Sequence, residues 1–214
     1  MSKKLMIFGG GGGFVGGNMT KIAQSKGWQV YIADSFYREG VDDAEWIELN
    51  ITDRDAVLNA VQSVKPDAVV NVAAIANIDK AETEKELAWK VNVEGAAYIA
   101  EACKKYNAKY VFFSSDAVFD GSKKMYNEES IHKPVNYYGQ TKSEAERAVF
   151  SNYPDAAVIR ISLVLGLPVT GGNSFLAGLE TKLKEGSEII CPVEEVRTPV
   201  DVLTLSECVL ELAE

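Results

Sequence analysis

The sequence predicts a doubly wound α/β domain, a parallel sheet with helices on both faces, followed by a small C-terminal region. Three observations predict it. Short apolar runs rich in Val, Ile, Tyr and Phe alternate with longer helical patterns, and those runs show little in–out alternation. A glycine-rich turn joins the first run to the first helical segment. Continuous apolar runs suit strands buried on both faces of a parallel sheet. Strand–helix alternation with right-handed crossovers then gives the doubly wound arrangement.

The elements follow in order. Lys4–Phe8 reads as the first strand and Phe14–Lys26 as the first helix, with Gly27 where a C-cap glycine would end it. Gln29–Ala33 is the second strand and Trp46–Leu49 a short further one. Asp53 is the N-cap of a helix over Asp53–Val64, and Pro66 stops it. Strands at Ala68–Ala73, Tyr110–Ser114 and Ala157–Ile161 alternate with helices at Thr83–Tyr106 and Tyr137–Tyr153. After Ser162 a Gly- and Pro-rich loop spans Gly166–Asn173, then a helix Ser174–Lys184, a short strand Glu188–Ile190 and a last helix Val200–Ala213.

Composition narrows the partners. The 214 residues are 47% hydrophobic and 25% charged, as in an ordinary folded domain and unlike a disordered chain. Lys and Arg number 22 against 31 Asp and Glu, so the net charge of −9 argues against nucleic acid. Cys103, Cys191 and Cys208 are odd in number and far apart, and His132 is the only histidine. They read as reduced core thiols with no metal site, which suits a cytoplasmic location. No run approaches 18 apolar residues, so no membrane span is expected. The apolar start runs straight into glycines, which reads as a strand and not a signal peptide. Trp28, Trp46 and Trp89 read as packing residues, and the acidic run Glu82–Glu86 as a solvated helix face.

Gly10, Gly13 and Gly16 fit G-x-x-G-x-x-G between the first strand and first helix, a spacing variant of the Rossmann fingerprint. Glycines there permit a tight turn and bring backbone N–H groups toward a pyrophosphate at a helix N-terminus. No Gly-Lys-Ser/Thr follows, which excludes a P-loop. Asp34 ends the second strand, 18 residues after Gly16. A carboxylate there accepts from a ribose 2′-OH and repels a 2′-phosphate, favouring NAD(H), while Arg38 nearby leaves NADP(H) open. Tyr138 and Lys142 stand four apart and share a helix face, where a cation stabilises a phenolate. Ser114–Ser115–Asp116 lies where a strand meets its loop, the ligand-binding end of an open α/β sheet.

These residues carry a wider resemblance. GGGGFVGG at the start, LNITD at 49–53, NVAAIANIDKAE at 71–82, VNVEG at 91–95, FSSDAVFDG at 113–121, YYGQTKSEAE at 137–146 and VIRIS at 158–162 occur in order. In them the chain resembles the extended short-chain dehydrogenases/reductases, and within these the dTDP-4-dehydrorhamnose reductase branch. The resemblance implies a Rossmann-type NAD(P)-binding domain over residues 1–165 and a partial substrate-binding region over 166–214, shortened relative to the family beyond Arg197–Val202. It implies reduction of a keto group on a nucleotide-linked sugar, in carbohydrate biosynthesis. Tyr138 would be the general acid, Lys142 its partner and nicotinamide-ribose ligand, and Ser115 the hydroxyl that orients the carbonyl, with Asp116 beside the substrate.

Gly10, Gly13, Phe14, Val15 and Gly16 would meet the pyrophosphate and Asp34 the ribose. Asn50 and Ile51 would lie against adenine, Ala73, Ala74 and Ile75 along the middle of the cofactor, and Phe113 beside it. Asn92 would support the active-site helix. The sequence departs from the family at Asn50, where Asp is usual, at Ser115–Asp116–Ala117, where Thr-Asp-Tyr is usual, and at Leu163, where Trp is usual. These changes bear on the substrate. Two alternatives stay open: a nucleotide-sugar epimerase of the same superfamily, or a non-catalytic NAD(P)-binding regulatory subunit. Asp116–Ala117 does not resemble a dehydratase's Asp-Glu pair. Arg160 and Arg197 read equally as structural or substrate-contacting, and relatives of this kind lead us to expect a homodimer.

Overall fold

Leu5, Met6, Ile7 and Phe8 have no polar residue among them, and strand β1 (Lys4–Phe8) is accordingly buried on both faces. The computed structural model describes residues 2–10, 13–37, 39–169, 174–190 and 193–214. Arg38, Cys191 and residues 170–173 of the expected loop lie outside them. With β2 (Gln29–Asp34), β3 (Glu45–Glu48), β4 (Ala68–Asn71), β5 (Lys109–Ser115) and β6 (Ala157–Ile161), β1 forms a parallel sheet of order β3-β2-β1-β4-β5-β6. The order reverses between β1 and β4, so the carboxyl ends of those strands open the crevice where such sheets bind ligands.

Side chains alternate across each strand, and the two faces build two cores. On one, Met6, Phe8, Val69 and Phe112 pack with Val57 and Val61 of α2 (Arg54–Val64), Ile99 and Cys103 of α5 (Gly95–Tyr106) and Val149 of α6 (Tyr137–Asn152). On the other, Leu5, Ile7, Val70 and Val111 pack with Met19 and Ala23 of α1 (Phe14–Ser25) and with Leu205, Val209 and Leu210 of α8 (Val202–Ala213). The last helix thus completes the layer beside the first. Asp53 caps α2 as expected, and Gly27 lies at φ +83° just past α1.

Several expectations are corrected. The single helix over Thr83–Tyr106 is instead α3 (Ile78–Thr83), α4 (Lys85–Trp89), a π-helical turn Lys90–Glu94 and α5. Asn77 starts α3 early by accepting from Lys80 N–H, and Glu84, at φ −112° and ψ 54°, leaves the helical region between α3 and α4. Glu188–Ile190 is not a strand, and Ile190 is exposed. Instead Val200–Asp201 forms β8, parallel to β7 (Val164–Leu165), and Asp201 caps α8 through the N–H groups of Leu203 and Thr204. α7 (Phe175–Lys184) begins at the Ser174 cap, whose hydroxyl also donates to Gly166 O. Cys208 faces solvent on α8, so only Cys103 of the described cysteines is a core thiol. Trp28 is buried and Trp46 half-buried, but Trp89 is 38% exposed.

Candidate active site

The site is assembled at the carboxyl edge of the sheet. Gly9 and Gly10 follow β1 with φ of +70° and +69°, a region that side chains rarely enter. A Cβ on Gly9 would stand 2.3 Å from that of Ala73, so this glycine lets the chain leaving β1 touch the chain leaving β4. Gly9 falls outside the spaced triplet of the fingerprint, so the motif carries no signal for it. Gly13 N–H donates to Gly10 O at 2.7 Å, closing the turn into α1. α1 has no capping side chain and no acid in its first turn, whereas Asp53, Asn136 and Ser174 cap α2, α6 and α7. A glycine turn without Cβ atoms and a helix start not capped by a side chain fit a dinucleotide's diphosphate. Gly16 is buried within α1, Val15 is half-buried, and the Phe14 ring reaches Gly166, where an added Cβ would meet it at 3.3 Å.

Asp34 is fixed at the end of β2. Its Oδ2 accepts from Gly10 N–H at 2.7 Å and its Oδ1 from Ser35 N–H at 2.8 Å. The carboxylate therefore stands against the glycine turn itself. Asn50 is exposed, and its Oδ1 is taken by the N–H and hydroxyl of Thr52. Ile51 packs so closely on the π-turn junction that a Cβ at Gly95 would fall 2.6 Å from its Cγ1.

Ala73, Ala74 and Ile75 form the exit from β4. The buried Asn71 accepts from Ala73 N–H through Oδ1 and donates from Nδ2 to Tyr110 Oη. Asn92, turned inward by the π-helical turn, accepts from Ile75 N–H at 2.8 Å and donates to Ile75 O and to Thr141 Oγ1. Thr141 in turn donates to Tyr138 O. One side chain thus ties the β4 exit to α6. Asn71 carries no distinguishing signal in sequence, because its role depends on a tyrosine 39 residues away.

α6 is held at its start by two acceptors. Asn136 Oδ1 takes Gly139 N–H, and Glu82 takes Tyr137 N–H at 2.7 Å, so this member of the acidic run does more than face solvent. Gly139 permits close approach: a Cβ there would lie 2.1 Å from Ala117 O. This contact seats α6 on the short 3₁₀ turn Asp116–Val118 that follows β5. Ser115, Tyr138 and Lys142 come together as a result. Burial raises the Tyr138 phenol, its hydrogen bond with Ser115 opposes that, and Asp116 adds to it. The phenol therefore holds its proton at neutral pH. Lys142 is buried, donates to Phe113 O at 2.8 Å and stands 6.0 Å from the centre of the Tyr138 ring. Burial lowers its ammonium from 10.5 to about 8, against the pull of Glu146. Asp116 lies 3.9 Å from Arg197, while Arg160 pairs with the buried carboxylate of Glu146.

The sequence matches the family described as RmlD substrate binding domain over residues 3–214. The chain belongs to that family. It is 30% identical over 210 residues to a dTDP-4-dehydrorhamnose reductase of Aggregatibacter actinomycetemcomitans, covering 98% of this chain and 67% of the relative. It is also 39% identical over 118 residues to methionine adenosyltransferase 2 subunit beta of Xenopus laevis, covering 55% of this chain and 35% of that one. Among solved structures, dTDP-4-dehydrorhamnose reductase from Bacillus anthracis in complex with NADP superposes with a TM-score of 0.86 at 27% identity, over all of this chain and 71% of that one. The chain thus spans about two-thirds of its reductase relatives and about a third of the adenosyltransferase subunit. The doubly wound sheet is that of the family. Among the described residues no helix is long and apolar enough to cross a membrane.

Proposed function

We propose that the chain is an NAD(P)H-dependent oxidoreductase of the extended short-chain dehydrogenase/reductase class, reducing a ketone on a nucleotide-linked sugar as dTDP-4-dehydrorhamnose reductases do. The observation that carries this reading is the meeting of Ser115, Tyr138 and Lys142 at the sheet edge where the glycine turn and Asp34 also lie. When bound, a reduced nicotinamide dinucleotide supplies the hydride to the carbonyl carbon. The Ser115 hydroxyl orients the carbonyl oxygen. Tyr138, kept protonated by its burial, gives that oxygen its proton. The Lys142 ammonium then faces the phenolate and stabilises it.

Gly10, Gly13, Phe14, Val15 and Gly16 would receive the diphosphate. Ile51, with Asn50 at the rim, would border the adenine. Ala73, Ala74 and Ile75 would run along the cofactor, with Phe113 beside Lys142. Asp34, anchored by two backbone N–H groups, supports NAD(H) over NADP(H). We assign residues 1–165 to the cofactor and 166–214 to the substrate side, with α8 returning to the sheet. Asp116 is the substrate-side acid. A cytoplasmic setting suits the buried thiol of Cys103, and the exposed Leu87, Trp89 and Phe150 on α4 and α6 support a homodimer.

The test is a titration of NADH and NADPH fluorescence, followed by turnover with 4-keto nucleotide sugars. Tighter NADH binding that is lost in Asp34→Ala, with turnover, supports the reading. A second reading, a regulatory subunit without turnover, draws on the adenosyltransferase relative. Tight NADH binding without turnover on any sugar selects it.

A further inference from the structure

Behind Ser115, Tyr138 and Lys142 lies a second buried cluster that takes no direct part in the proposed reaction. Glu146 stands one turn beyond Lys142 and two beyond Tyr138 on α6, so the three share a face. It is only 2% exposed. Its Oε1 accepts from Ser114 Oγ at 2.5 Å, and its carboxylate takes Arg160 Nε at 3.0 Å and Nη2 at 2.8 Å. Ser114 and Arg160 are register partners on β5 and β6. One carboxylate therefore grips two neighbouring strands at their carboxyl ends, directly before Ser115.

The grip extends further. Arg160 Nη1 donates to Glu128 O, and its guanidinium lies 5.4 Å from the Phe119 ring centre. His132 Nε2 lies 3.5 Å from Glu146, while its Nδ1 is 2.9 Å from Ser143 Oγ. The loop that follows Asp116 is thus drawn into the same cluster.

A buried ion pair adds little net stability over well-packed apolar side chains, so stability alone does not account for this one. Placement does. We propose that Glu146, held by Ser114 and Arg160, is a positioning residue that fixes α6 against the ends of β5 and β6 so that Tyr138 and Lys142 meet Ser115. The inference rests on the reading of Tyr138 and Lys142 as the proton-handling pair. Its charge has a second effect, because a carboxylate favours the ammonium of Lys142 against burial. The other charged or titratable groups against Glu146 are Arg160 from β6 and His132 from the loop, and Lys142 faces the Tyr138 ring. Arg147 and Glu128 act on its rim through His132 and Arg160.

The test uses Glu146→Gln, with Ser114→Ala as the gentler variant. In protein labelled with ζ-15N lysine and free of cofactor, the Lys142 signal is identified by its loss in Lys142→Arg. Glu146→Gln should move its titration to lower pH by about one unit. The kcat should fall about tenfold with KM for NADH nearly constant, and the alkaline limb of the rate profile should shift the same way. Ser114→Ala, which leaves the ion pair intact, should lower kcat without moving the Lys142 titration. An unmoved Lys142 signal together with wild-type kcat in Glu146→Gln overturns the proposal. If Glu146→Gln does not fold, wild-type kcat in Ser114→Ala overturns it. A wild-type chain that binds NADH and reduces nothing overturns the catalytic reading instead, and the lysine titration then decides the charge effect by itself.

Discussion

In the proposed reaction, Lys142 sets the pH behaviour of the site. Its ammonium is held down to about 8 by burial. It is charged below that value and neutral above it, so its support for the Tyr138 phenolate is lost as pH rises. We expect kcat/KM for NADH, which reports the free protein, to fall as pH rises through about 8. A profile flat well into the alkaline range would show that Lys142 has no such part. Asn92 makes a different kind of prediction. Asn92→Ala leaves Ile75 N–H without its partner, at about 1–3 kcal/mol, and cuts the tie to Thr141, whose hydroxyl keeps its bond to Tyr138 O. The urea midpoint should drop at constant m-value, and an unchanged midpoint would mean that water replaces the amide. Gly10, Gly13, Asp34, Ser115, Tyr138 and Lys142 could be picked out in sequence because turn chemistry and helical spacing are local. Asn71, Glu82 and Glu146 could not, since each acts through partners 14 to 55 residues away.

Helix α6 works because it starts close to the turn after β5. Gly139→Ala would drive a Cβ into Ala117 O, 2.1 Å away, and push Tyr138 off Ser115. Displacement of this kind costs on the order of a hundredfold in kcat. Stopped-flow kinetics, with circular dichroism to confirm the helix content, would check it, and a fully active Gly139→Ala would refute the close seating. The strands and most helices were legible because burial on both faces leaves uninterrupted apolar runs. The stretch over Thr83–Tyr106 was not. Its apolar spacing hides both the Glu84 break and the π-helical turn, which inserts a residue without changing composition. That insertion is what aims Asn92 inward.

The two faces of the sheet depend on distant parts of the chain. α8 closes the layer beside α1, and Leu210 is almost fully buried in it. Leu210→Ala should cost about 2–5 kcal/mol, read as a lower denaturation midpoint. A loss well under 1 kcal/mol would place α8 outside the cooperative fold. A last helix after Pro199 is legible in sequence but its seat on the sheet is not, because that contact joins the two ends of the chain. The β7–β8 pair was equally hidden, since two-residue strands carry no periodicity. The substrate side was the least legible part. Its expected determinants were departures at Ala117 and Leu163, and Asp116 stands there 3.9 Å from Arg197, which also pairs with Glu195.

The most direct measurement is single-turnover oxidation of bound NADH by a 4-keto nucleotide sugar, followed at the nicotinamide absorbance, in wild type and Tyr138→Phe. Substrate-dependent oxidation in the wild type, slowed about 10²–10⁴-fold in the variant, is the predicted result. Equal rates in both proteins would contradict the assignment of Tyr138 as the acid, and no oxidation in either would contradict the reductase itself.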